Sequence, residues 1–105
     1  MANYLLAYHG GGMPETEEAR ARVMGAWGQW YQGLGDAVVD AGNPVGGAQT
    51  ISSDGSVTEG GGSNPVSGYT IIAAESLDGA IEMAKGCPIL DGGGSIEVCE
   101  TFSMM

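Results

Sequence analysis

At 105 residues the chain supports one domain, spanning residues 1–105, with a single modest core. Three basic against thirteen acidic residues give a formal net charge of −10, which repels phosphate backbones and anionic lipid and so excludes nucleic acid and membrane surfaces as partners. The apolar run at 4–8 lacks a basic flank and is too short for a signal-peptide core, and no run approaches the roughly 20 apolar residues of a spanning helix; the sequence reads as a cytoplasmic protein.

Residues 3–9, NYLLAYH, predict a first strand with two faces, one of Leu5, Ala7 and His9 and one of Tyr4, Leu6 and Tyr8, neither of them polar. Gly10, Gly11 and Gly12 release the chain. Pro14, followed by Glu15, Glu17 and Glu18, marks a helix start, because proline fits the first turn and carboxylates complement the positive end of the helix dipole. Val23, Trp27, Trp30 and Leu34 then form an apolar stripe widened by Met24, Ala26 and Tyr31, with Gly35 as its stop. The run at 37–40 and the run at 47–52 read as one second strand interrupted by a kink at Gly42-Asn43-Pro44. Asp54-Gly55 is a tight-turn dipeptide, so residues 57–59 turn back as a short hairpin arm, and residues 60–67 are loop.

Residues 69–74 are β-branched and aromatic without a breaker, as in a strand covered on both faces. Ser76 caps a second helix, Asp78 sits in its first turn, and Leu77, Ala80, Ile81 and Ala84 make its apolar stripe. Lys85 lies in the last turn, Gly86 suits a left-handed cap, and Pro88 forbids continuation. Ile96, Val98 and Phe102 alternate with Ser95, Glu97, Cys99 and Thr101 in a last strand. The two cysteines, Cys87 and Cys99, have no redox or zinc spacing and read as buried thiols.

This order predicts an α+β fold, the ferredoxin-like βαββαβ arrangement with an antiparallel sheet and both helices on one face. The first and third strands are nevertheless apolar on both faces. A second copy packing sheet against sheet, as a homodimer in the manner of a dimeric α+β barrel, is the expected cover.

Several stretches together carry a resemblance: Tyr4-Leu5-Leu6-Ala7-Tyr8, Gly68-Tyr69-Thr70-Ile71-Ile72, Ala74-Glu75-Ser76-Leu77-Asp78, Cys87-Pro88 and Gly93-Gly94-Ser95-Ile96-Glu97-Val98. They resemble the YCII-related family of small dimeric α+β barrel proteins, with residues 35–67 the weakest part. The resemblance implies that fold and a homodimer, in a family most of whose members are uncharacterised. Where the family often has Asp-Gly-Pro-Phe, this chain has Ser63-Asn64-Pro65-Val66. Where members with suggested catalysis pair a histidine on the first helix with an aspartate before the proline after the second, this chain has Trp27 and Cys87.

Two functional readings follow. In the first, Tyr8, Trp27, Trp30 and Tyr69 line a cleft between the first helix and the sheet and bind a small organic molecule, although aromatics at this spacing also serve as core. In the second, the chain is a cofactor-independent enzyme of the dimeric barrel class, with His9 as acid or base; the same histidine also reads as a hydrogen-bonded strand end. No cofactor and no metal are expected. Glu15, Glu17 and Glu18 oppose an anion at Gly10, Gly11 and Gly12, and Asp36, Asp40, Asp54 and Glu59 match no calcium loop.

Overall fold

A computed structural model describes residues 1–12 and 14–103. In chain order the elements are β1 (Ala2–His9), α1 (Glu17–Leu34), β2 (Val38–Asp40), β3 (Gln49–Ile51), β4 (Val57–Glu59), β5 (Val66–Ala74), α2 (Leu77–Ala84) and β6 (Ser95–Glu100), with 3-10 turns at Gly35–Ala37 and Pro88–Leu90. Four strands form one sheet in the order β2-β5-β1-β6, every neighbouring pair antiparallel.

Alternation along the two central strands sorts this sheet into faces. Tyr4, Leu6 and Tyr8 of β1 pair with Ile72, Thr70 and Gly68 of β5, and all of these are buried. That face meets Ala80 and Ala84 of α2, together with Cys87, and makes the core. Leu5, Ala7 and His9 point the other way with Ile71 and Ala73, on a face that no helix of the described residues covers.

Local chemistry accounts for the helix ends. Thr16 Oγ1 accepts from the Ala19 N–H at 3.1 Å and caps α1, whose first residue, Glu17, comes later than Pro14 suggests. Gly35 closes it with φ of 56° and an N–H donated to the Tyr31 carbonyl. Ser76 Oγ caps α2 by accepting from the Gly79 N–H at 3.0 Å. Gly86 has a different task from the left-handed cap expected of it, since its φ is not positive. A Cβ at this position would lie 3.3 Å from Trp30 Cδ1, so the missing side chain lets the indole pack closely.

The second strand is not one interrupted strand. Only β2 joins the main sheet; β3 leaves it and pairs with β4, Ile51 opposite Val57, in a separate two-stranded arm. Past β2 the pairing with β5 narrows to a single bridge of Pro44 to Gly68, in which the Asn43 carbonyl accepts from the Tyr69 N–H and the Val45 N–H donates to the Ser67 carbonyl at 3.0 Å, and beyond it the chain departs. The hairpin predicted at Asp54-Gly55 is present, with Asp54 Oδ1 accepting from the Ser56 N–H at 2.9 Å. At the other end β6 stops at Glu100, and Phe102 stands 82% exposed beyond it.

Candidate binding site

No residue of α1 is buried: the helix touches the sheet layer only through the half-buried stripe of Val23, Trp27, Trp30, Tyr31 and Leu34. It therefore stands off the sheet, and the space on either side of Trp27 is open. On one side lies a cavity of about 230 Å³, walled by Tyr8, Met24, Trp27 and Tyr31, by the loop 41–44 and by Tyr69. Such a volume suits one ring with small substituents.

The rings at this cavity support one another. Trp27 meets Tyr8 edge to face with centroids 5.4 Å apart, and Tyr31 lies 5.9 Å from Trp27 at a tilt of 38°. Three hydroxyls converge at its base. Tyr8 Oη donates to Thr70 Oγ1 at 2.6 Å, Thr70 Oγ1 donates to the Ala41 carbonyl at 2.9 Å, and Tyr31 Oη donates to the same carbonyl at 3.0 Å. Tyr31 Oη also lies 3.3 Å from Thr70 Oγ1. Burial pushes the Tyr8 phenol well above the usual tyrosine range, raises that of Tyr31, and raises the Cys87 thiol that lies beside Tyr8. At neutral pH these groups are therefore donors and acceptors, not bases.

The loop wall is held as firmly as the helix wall. Asp40 Oδ1 accepts from the Gly42 N–H at 2.9 Å, and the Asn43 carbonyl accepts from the Tyr69 N–H at 3.2 Å. Gly42 has φ of 76°, and a Cβ there would overlap the Tyr69 carbonyl. Only glycine fits this crossing.

Of the residues singled out from the sequence, Tyr8, Trp27 and Tyr69 border this cavity. Trp30 does not: its indole N–H donates to the Met83 carbonyl at 3.0 Å, which fastens α1 to α2. His9 does not either, because alternation turns it to the opposite face of the sheet from Tyr8. There it is 8% exposed. Nδ1 donates to the Asn64 carbonyl at 3.0 Å, and Nε2 faces Glu97 Oε1 at 3.2 Å. Both ring nitrogens thus face acceptors, a carbonyl and a carboxylate, and neither is turned toward the helix-side cleft.

Thr70 and Tyr31 were missed as site residues. A threonine inside the apolar run at 69–74 was the available signal, because a hydroxyl on a covered strand face must find partners. Asp40 and Asp54, weighed as cation ligands, instead close turns. Among the described residues no three His, Cys, Asp or Glu side chains gather to hold a metal ion.

No family model matches the chain, and no curated protein matches it. Among solved structures, the chain is similar to 5-chloro-2-hydroxyhydroquinone dehydrochlorinase from Burkholderia phenoliruptrix, in complex with 2,5-dihydroxybenzoquinone, at 20% identity and a TM-score of 0.57 over 96% of this chain and 93% of that one. The likeness shows the fold: this chain has a ferredoxin-like α+β fold.

Proposed function

We propose that the chain is a YCII-related, cytoplasmic homodimer that binds a small cyclic organic molecule in the cleft between α1 and the sheet. The observation that carries this reading is the 230 Å³ cavity beside Trp27, with Tyr8 and Tyr31 as further aromatic walls and the Thr70 hydroxyl network at its base. Trp27 and Tyr31 offer ring faces and edges for stacking, while Tyr31 Oη, whose proton goes to the Ala41 carbonyl, can accept a hydrogen bond from a ring hydroxyl. The dehydrochlorinase of similar fold holds a ring of this size, 2,5-dihydroxybenzoquinone. The homodimer is supported by the uncovered sheet face, where Leu5, Ile71 and Ala73 form an apolar strip beside Val39, itself 52% exposed.

Calorimetric titration with hydroquinone and 2,5-dihydroxybenzoquinone tests the site. Saturable binding that weakens about tenfold in Tyr31→Phe is expected, from the loss of one hydrogen bond and its buried partner. No heat of binding across these and a wider panel of cyclic metabolites would refute the reading. Light scattering checks the assembly, with Ile71→Asp expected to yield monomer. The enzyme alternative, with His9 as acid or base, places its chemistry on the open sheet face beside Glu97. Turnover surviving in His9→Ala would remove it.

A further inference from the structure

A second, larger cavity of about 490 Å³ lies on the other side of Trp27, between the first half of α1, the glycine segment 10–12 and the 3-10 turn Pro88–Leu90. Val23, Ala26, Trp27, Pro88 and Ile89 give it apolar walls. Two charged side chains, Arg22 and Asp91, stand on its border.

Arg22 is unusual for this chain. Of the three basic residues, Arg20 donates Nε–H to the Pro14 carbonyl at 2.8 Å and Lys85 pairs with Glu82 at 3.0 Å. Arg22 makes no hydrogen bond or ion pair among the described residues, although acidic groups outnumber basic ones by thirteen to three. Asp91 likewise has no ion pair there, so the two opposite charges flank the cavity without neutralising each other. Ser67, the remaining polar side chain on the wall, spends its hydroxyl on the Gly10 carbonyl at 3.0 Å. The backbone wall is tight: Gly11 has φ of +68°, and a Cβ there would lie 2.8 Å from Ile89 Cγ1.

We infer that this cavity is a binding site for a small cyclic carboxylic acid that also carries a hydroxyl or amino donor. The ring lies against Trp27, Val23 and Ile89, the carboxylate takes the guanidinium of Arg22 in a two-point, charge-assisted contact, and the donor reaches the Asp91 carboxylate. A carboxylate alone is disfavoured by Asp91 and by the net charge of −10, so the donor at the other end is what makes the ligand fit. An anion of higher charge would meet that field more strongly, and a cation would leave Arg22 facing it.

The site is distinct from the aromatic cleft and is tested with distinct probes. Calorimetry with 4-hydroxybenzoate, benzoate and benzylamine is run on the whole protein, on Arg22→Gln and on Asp91→Asn, both exposed positions. Expected are saturable binding of 4-hydroxybenzoate, a loss of about tenfold or more in R22Q, and a smaller preference for 4-hydroxybenzoate over benzoate in D91N. Hydroquinone is the neutral control, and its affinity should be the same in R22Q. Absence of saturable carboxylate binding, equal binding to R22Q, or benzylamine binding as well as benzoate would each overturn the inference. Failure of hydroquinone, 2,5-dihydroxybenzoquinone and every other ring tested, with 4-hydroxybenzoate still bound and lost in R22Q, refutes the aromatic-cleft reading and leaves this one standing.

Discussion

Thr70→Val keeps the shape of a fully buried strand residue and removes the hydroxyl that joins Tyr8 to the Ala41 carbonyl. Ala41 loses one donor but keeps the Tyr31 hydroxyl at 3.0 Å. Tyr8 fares worse, because its buried hydroxyl is left with only the Cys87 sulfur, a weak acceptor, beside it. A lost hydrogen bond of about 1 kcal/mol and an orphaned buried donor of about 1–3 kcal/mol sum to a cost of about 2–4 kcal/mol. Tyr8→Phe removes one bond but orphans nothing, since Thr70 still donates to Ala41, and should cost about 1 kcal/mol. The double variant contains no orphan. It should therefore be more stable than T70V alone, with a favourable coupling of about 1–2 kcal/mol. Urea unfolding followed by tryptophan fluorescence, at one protein concentration for all four proteins, measures the cycle, because Trp27 packs against Tyr8. Additive costs would mean that the network does not bear on stability as described.

Alkaline pH should unfold the protein through the same groups. Burial raises the Tyr8, Tyr31 and Cys87 values in the folded chain. Above about 8.5 for a thiol and about 10 for a phenol, the unfolded chain releases protons that the folded chain retains, so stability falls as pH rises, by up to about 1.4 kcal/mol per pH unit for each group. Urea midpoints should be level from about pH 7 to 8 and decline beyond about pH 9, more shallowly in Y8F; a midpoint unchanged at about pH 10.5 would refute this. In a Cys99→Ser background, an aromatic disulfide reagent should label Cys87 only as the protein unfolds, since that thiol is 2% exposed; rapid native labelling would mean that the core opens at the exit of α2. Gly42→Ala should cost at least about 2 kcal/mol, from the positive φ and the overlap with the Tyr69 carbonyl, whereas Ile51→Ser on the 74% exposed arm should stay within about 0.5 kcal/mol by thermal denaturation.

Much of the scaffold was legible from local chemistry. Gly35 and Ser76 cap their helices as their residue types require, and the alternation in residues 3–9 places Tyr8 and His9 on opposite faces. That alternation carried a warning about the site, since a single cleft on one side of the sheet cannot receive both residues. Which face the helices would cover was not local information. The stripe of α1 likewise announced Trp27 and Trp30 together, and periodicity had no means to separate them. Trp30 turned out to serve the Met83 carbonyl on α2, and Trp27 the space beside it.

What the sequence by itself determined, then, was the two helices, the strands at either end of the chain and before the second helix, and the alternation along the first strand, because these depend on residues within a few positions of one another. Tertiary structure alone decided three further matters: that residues 49–51 leave the main sheet, that Thr70 collects two tyrosines and the Ala41 carbonyl, and that Arg22 faces a cavity without a partner among the described residues. Each depends on groups far apart in the chain that meet only after packing. The cavities themselves exist because α1 rests on the sheet layer through a half-buried stripe, and a stripe read from sequence predicts contact, not the gaps beside it.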